Sequence, residues 1–366
     1  MPVKFTSLTK SFPITIPFVG PETLERKSGK PYLSRIGANE SVFGPSPKAI
    51  VAMETAASEN WQYSDPENYD LRHALAAHHG VSPDNIVIGE GIDGLLGLAA
   101  RMIVEPGVTA VMADGAYPTF AFHVANLGGT VAKVPYIDDH ESITDLLAET
   151  QKLDASILYF TNPDNPMGTF WGKEAVGRLI ENLPQDVALF FDEAYCEFAL
   201  KDALAPIDVS NNQVIRFRTF SKAYGMAGAR IGYVIAHEEI IATLNKIRNQ
   251  YGINRVGQIG ALAALDDQEW LEQVRQWTAE GRERIYKIAA DNGLKAIPSL
   301  TNFVTVDMGR DQAYAKAVLD EINKRGIFMR MPFAAPGNRC IRVGVGKPED
   351  LDLFEKVLRE VLEEVG

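Results

Sequence analysis

QVIRFRTFSKAYGMAGARIGYVIA, residues 213–236, reads as two apolar strands joined by a turn of small residues. The turn places Lys222 beside Ser221 and close to Thr219, then Gly225, Gly228 and, eight residues after the lysine, Arg230. Glycines let the backbone approach a ligand closely. A forked guanidinium matches phosphate oxygens. A desolvated lysine gives up its proton more readily and can condense with an aldehyde. Together these features suggest a covalently held, phosphate-bearing cofactor, the chemistry of a pyridoxal phosphate Schiff base. The same residues would also suit a turn lysine and a surface arginine, so the neighbouring strands must decide.

Working outward, NIVI (85–88), VTAVMAD (108–114), TVAKV (130–134), ASILYF (155–160) and VALFFD (187–192) are further strand candidates. Helical patterns lie at 47–58, 68–79, through LLGLAARMIV, after Pro118, at 142–151 and at 173–182. Helices alternating with apolar strands predict an α/β fold: seven strands, mostly parallel, buried on both faces and sandwiched by helices. After about residue 250 the rhythm changes to long helices, notably 268–292, followed by strands near 302–308 and 339–345 and helices at 311–325 and 349–364. That tail predicts a smaller α+β domain. The expected division is an N-terminal arm (1–40) joining the small domain, a large cofactor-binding domain (41–265) and a small C-terminal domain (266–366).

The 366 residues carry a net charge of −12, which argues against the basic footprint that nucleic-acid binding needs. No apolar run approaches the roughly 18–20 residues of a membrane span. The two cysteines, Cys196 and Cys340, lack metal-type spacing and suggest no disulfide framework. With no secretory pattern at the start, a cytoplasmic location is expected.

Several strand ends carry candidate chemistry. GEGIDG (89–94) matches the dinucleotide fingerprint, with Asp114 ending the next strand, and on its own favours a nicotinamide dehydrogenase. Yet a glycine-rich strand-to-helix turn binds any phosphate through free backbone N–H groups. FTNPDNPMGTF (160–170) brings Asn165, able to donate to a phenolic oxygen, or simply forms an Asx/Pro turn. Asp192 in FFDEAY follows its strand directly, where a carboxylate could pair with a protonated pyridine nitrogen or cap a helix. Tyr195 could share the ring's phenolate, and Tyr117 in GAYPTF could stack on the ring. One phosphorylated pyridine would account for all of these groups.

At this point the chain resembles the fold-type I pyridoxal phosphate aminotransferases of class I/II, and among them the histidinol-phosphate aminotransferase group. The resemblance runs from about Gly37 to the C-terminus. It rests on ANESVFGPSP (38–47), QYSDPENYDLRHALA (62–76), TNPDNPMG (161–168), DEAY (192–195), SKAYGMAGARIGY (221–233) and IRVGVG (341–346). It implies that Lys222 carries the Schiff base, Asp192 pairs with the pyridine nitrogen, Asn165 and Tyr195 bond the ring oxygen, and Tyr117 stacks on the ring. The phosphate would be held by the Gly91-Ile92-Asp93 turn, Thr219, Ser221, Arg230 and Tyr63, the last contributed by the neighbouring subunit of a homodimer. Arg342 would grip a substrate carboxylate and Arg330 would help with a distal anionic group. Three positions depart from the family pattern: Ile92 replaces a small polar residue, Gly94 an acidic one, and Met167 a threonine.

The implied activity is transfer of an amino group from an amino acid or amino alcohol phosphate, histidinol phosphate first, to a 2-oxo acid such as 2-oxoglutarate. A decarboxylase or lyase on the same scaffold is the first alternative, and the nicotinamide dehydrogenase the second.

Overall fold

The computed structural model describes residues 3–12 and 19–365. Seven strands form the large sheet: β1 Ile86–Gly89, β2 Thr109–Ala113, β3 Thr130–Val134, β4 Ile157–Thr161, β5 Ala188–Asp192, β6 Val214–Thr219 and β7 Gly232–Ile235. Their spatial order is β1-β7-β6-β5-β4-β2-β3. β4 and β6 are buried at every position, as strands covered by helices on both faces must be. Only β7 runs against its neighbours, pairing antiparallel with both β1 and β6.

That one reversal positions the site. The other six strands share a direction, so β1, β2, β4, β5 and β6 all end on one edge of the sheet. β7 starts there, with Gly232 opposite both Gly89 and Thr219. The loop from 220 to 231 therefore leaves and re-enters at the same edge, which keeps Lys222 and Arg230 beside the carboxyl ends of the parallel strands. The loop is tight enough at Gly225, φ +69°, that a Cβ would collide with the Gly44 carbonyl.

The helix Gly91–Ile103 covers one face of the sheet with Leu95, Leu96, Ala99 and Ala100, a helical repeat of apolar residues. Beneath the site, Glu193 is buried between Arg216 Nη1 (2.8 Å) and Arg218 Nε (2.9 Å), tying the end of β5 to β6.

A second, antiparallel sheet is built from β8 Lys295–Ala296, β9 Phe303–Asp307 and β10 Cys340–Gly344, in the order β10-β9-β8. It has its own core, including Ile288, Val306, Val318, Ile341 and Phe354. The helices Gln268–Asp291, Gln312–Lys324 and Pro348–Val365 supply the rest of that core. Ser34–Arg35 pairs in parallel with Ile327–Phe328, and the Gly344 N–H donates to Ile36 O at 2.7 Å. The chain before the large sheet is thus stitched to this second layer. Of the expected arm, residues 1, 2 and 13–18 lie outside the described residues.

All seven expected strands of the large sheet form. The helices Pro21–Ser28, Glu238–Ile247 and Arg255–Asp266 were not individually predicted. The last is a run of Gly, Ala and Leu, whose weak contrast between faces hides the helical period.

Candidate active site

A cavity of about 310 Å³ opens at the sheet edge where these strands end. Its lining includes Ile92, Asp93, Tyr117, Asn165, Asp192, Tyr195, Thr219, Ser221, Lys222 and Arg230. An adjoining cavity of about 540 Å³ shares Tyr117, Asn165, Tyr195 and Lys222 and adds Arg330 and Arg342. Of the expected site residues, Gly91 lies immediately beside the first cavity, and Tyr63 alone is absent from the cluster. Tyr63 is 80% exposed and packs against the Tyr251 ring at 4.9 Å.

Lys222 extends over the Tyr195 ring, with Nζ 5.5 Å from its centroid and 3.2 Å from Asn39 O, to which it donates. Burial of the ammonium and the nearby Arg342 charge lower its pKa to about 8. Neutral lysine is therefore accessible near physiological pH.

Asp192 closes β5 as a buried carboxylate. Tyr159 O–H donates to its Oδ2 at 2.8 Å and the Ala194 N–H to its Oδ1 at 3.0 Å. Burial outweighs these donors and raises its pKa to about 6. A cation placed against Asp192 would relieve that cost.

Tyr195 accepts from Asn39 Nδ2 at 2.8 Å, so its own proton is free to point elsewhere. Asn165 Oδ1 accepts from Arg342 Nη1 at 2.7 Å, leaving its amide N–H₂ to donate. Arg342 also donates to Gly37 O at 3.3 Å, while its Nε is buried without a partner among the described residues. Burial lowers the Arg342 pKa to about 10. The Arg342 N–H donates to Arg330 O at 2.8 Å, an antiparallel bridge that sets the two cations side by side.

On the other flank Thr219 Oγ1, Ser221 Oγ and Arg230 Nη1 form a chain with steps of 3.0 and 3.4 Å. Arg230 takes φ +57°, a left-handed conformation that costs a non-glycine residue about 1–2 kcal/mol. Its guanidinium lies over Gly91, where φ is +74° and a Cβ would stand 2.5 Å from Arg230 Nη2. Glycine alone fits at that position. The N-terminus of helix Gly91–Ile103 thus meets a guanidinium and two hydroxyls, a donor set suited to a phosphate dianion. The Asp93 carboxylate sits 3.3 Å from His123 Nε2, which holds its pKa down.

The departures at Ile92 and Met167 do no harm to this arrangement. Ile92 is nearly buried and belongs to the core under the helix, so the turn can offer backbone donors. Met167 also uses its backbone, the N–H donating to Asp164 Oδ2 at 2.9 Å. The dinucleotide reading of GEGIDG loses its second element, because Asp114 is engaged by Lys133 Nζ at 3.1 Å on the surface.

Two contributors were not singled out from the sequence. Asn39, buried at φ +56°, contacts both Tyr195 and Lys222, and Tyr159 holds Asp192. A tyrosine inside an otherwise apolar strand was the available signal, since a buried phenol needs a partner.

The chain matches the family Aminotransferase class I and II over residues 34–358. It belongs to that family. It is 32% identical over 345 residues to the histidinol-phosphate aminotransferase of Moorella thermoacetica, covering 93% of this chain and 88% of that relative. A solved histidinol-phosphate aminotransferase from Sinorhizobium meliloti, in complex with pyridoxal-5'-phosphate, is 49% identical with a TM-score of 0.96. That alignment covers 99% of this chain and 98% of the other. The L-threonine-O-3-phosphate decarboxylase of Porphyromonas gingivalis shares the fold at 20% identity and a TM-score of 0.78, covering 90% of this chain and 100% of the other. Among the described residues no helix is long and apolar enough to cross a membrane.

Proposed function

We propose that this aminotransferase uses pyridoxal 5'-phosphate to move the amino group of histidinol phosphate to a 2-oxo acid, with 2-oxoglutarate as the acceptor. The observation that carries the reading is the pair of adjoining cavities: one is lined by Lys222, Asp192 and the phosphate-type donors, the other by Arg330 and Arg342. Lys222 stands at their junction. The histidinol-phosphate aminotransferases of Moorella thermoacetica and Sinorhizobium meliloti support the same substrate.

Bound pyridoxal phosphate supplies an aldehyde that condenses with amines and a protonated ring that draws electron density from the donor's Cα. Asp192, oriented by Tyr159 and the Ala194 N–H, would hold the ring nitrogen protonated. Asn165 and Tyr195 donate to the phenolic oxygen through the protons that Arg342 and Asn39 leave free. Tyr117 covers the ring face. The Gly91-Ile92-Asp93 turn, Thr219, Ser221 and Arg230 hold the phosphate. Lys222 would take the proton from the donor's Cα and deliver it to the C4′ carbon of the bound cofactor. Its lowered pKa suits a group that must both accept and donate near neutrality.

Arg342 and Arg330 receive the substrate's anionic ends, the carboxylate of glutamate or 2-oxoglutarate and the phosphate of histidinol phosphate. The exposed Tyr63 is then completed by a second subunit, to whose site it contributes in a homodimer. The two buried, unpaired cysteines suit a reducing cytoplasm.

A comparison of amino donors with 2-oxoglutarate as acceptor tests the substrate, using histidinol phosphate, aromatic amino acids and small aliphatic ones on wild type and Arg342→Ala. Histidinol phosphate should have the highest kcat/KM. Arg342→Ala should raise KM for the 2-oxo acid by about 10–100-fold, the loss of one charge-assisted bidentate contact. A different preferred donor would reject the substrate assignment, and unchanged acceptor KM would reject the role of Arg342.

A further inference from the structure

We infer that Glu141 and Asp164 share one proton, and that this proton positions the turn carrying Asn165. Both side chains are buried, at 1% and 2% exposure, and neither has a salt-bridge partner among the described residues. Between them stands Thr161 Oγ1, 2.6 Å from Glu141 Oε1 and 2.9 Å from Asp164 Oδ1. A hydroxyl has one hydrogen and can satisfy only one carboxylate. The other contact is attractive only if that carboxyl is protonated and donates to Thr161.

The remaining donors say which acid holds the proton. Asp164 accepts from Tyr136 O–H at 2.8 Å and from the Met167 N–H at 2.9 Å. Glu141 receives a single longer bond, from the Thr161 N–H at 3.2 Å. The anion therefore sits on Asp164 and the proton on Glu141, in the chain Glu141 O–H to Thr161 O–H to Asp164. Burial, followed by the Asp164 charge, pushes the Glu141 pKa well up. The other titratable groups in range favour the same state: Asp192 and Tyr159 lie on the sheet side, and the cation Arg342 faces Asp164 from the cleft. Asp139, two residues before Glu141, is already neutralised by Arg339 at 2.9 Å, and Arg339 also engages Asp307.

This chain of bonds pins the Asn165 turn to the segment before helix Ile143–Lys152. Trp171 Nε1 donates to Glu141 O at 2.9 Å, and the Asp164 N–H to Thr169 O at 2.8 Å, so the turn is held at both ends. Asn165 is the next residue after Asp164 and bonds Arg342, which makes Glu141 and Asp164 positioning residues for the site. Two ionised carboxylates here would repel and open that turn.

Thermal unfolding of the cofactor-loaded wild type and Glu141→Gln, compared from about pH 5 to about pH 8, tests the shared proton. Native Glu141 keeps a proton that the unfolded chain releases above its ordinary value near 4.3, so wild-type stability should fall as pH rises. Relative to the variant, its unfolding equilibrium constant should grow about tenfold per pH unit. A gap independent of pH would overturn the proposal. Infrared absorption of the wild type near pH 8 gives a reading that needs no variant: a buried carboxylic acid C=O stretch is expected, at a pH above the values of about 6 for Asp192 and about 7 for Glu197. Absence of that stretch would contradict it.

Positioning is read separately, and that part alone rests on the proposed function. The Gln amide can donate where the acid did, so Glu141→Gln should keep kcat/KM within about twofold of wild type, whereas Glu141→Ala should lose about tenfold and shift the cofactor's visible band. Equal damage from both substitutions would refute the positioning role. If neither enzyme transaminates at all, the unfolding and infrared measurements still decide the shared proton.

Discussion

Lys222→Ala is expected to lower kcat by about 10⁴-fold or more while the protein folds and still takes up pyridoxal phosphate. The side chain has two tasks in the proposed chemistry, anchor and proton carrier, and general acid–base catalysis alone is worth about 10²–10⁴-fold. Nothing nearby can replace it. Tyr195, whose ring lies 5.5 Å from Nζ, is buried with its pKa pushed up, and its oxygen accepts from Asn39. The fold should survive, because Lys222 makes one hydrogen bond, to Asn39 O, and the phosphate donors Thr219, Ser221 and Arg230 bond one another without it. Steady-state rates and the visible spectrum of the purified variant check this. Retention of a lysine-bound cofactor spectrum after the substitution would mean that another lysine is the anchor.

Asp192→Asn should come next, reducing kcat by about 10²–10⁴-fold. Breaking a buried ion pair by removing one partner costs about 3–5 kcal/mol, and each 1.36 kcal/mol is about tenfold in rate. The amide is close in shape, so Tyr159 and the strand end should stay in place. The pH dependence gives a sharper signature. In the cofactor-free protein burial raises the Asp192 pKa to about 6, so its contribution to stability is full below about 4 and is lost as pH rises through 6. A pyridinium beside it reverses that sign. The gain in thermal midpoint on adding cofactor should therefore grow between about pH 5 and pH 7 in the wild type and stay flat in Asp192→Asn. A parallel rise in both proteins would remove Asp192 from the ring nitrogen.

Much of this was legible in the sequence because the fold puts strand ends together. With strands read at ASILYF (155–160), VALFFD (187–192) and QVIRF (213–217), the parallel rule brings Asn165, Asp192 and Lys222 to one edge. Glycine spacing did the same for Gly91 and Arg230. What was hidden depends on contacts between distant segments. Asn39 meets Tyr195 across 156 residues, and nothing local to ANESVFGPSP says where its amide points. Nothing local to Glu141 marks it as buried; only the packing of Trp171 and Thr161 over it shows a buried acid. Arg342 was read as a substrate ligand, and the structure adds that it also orients Asn165. Tyr63 lies apart from the cavity, exposed and against the Tyr251 ring.

In the proposed reaction Lys222 and the groups around it pass an amino group from a donor to the protein-bound cofactor and only then to an acceptor. Mixing cofactor-loaded protein with excess histidinol phosphate, with no 2-oxo acid present, tests it most directly. The expected result is a single turnover: the cofactor's visible band is lost, about one equivalent of oxo product per site is released, and the band returns on adding 2-oxoglutarate. Continued product formation without any 2-oxo acid would contradict this reaction sequence.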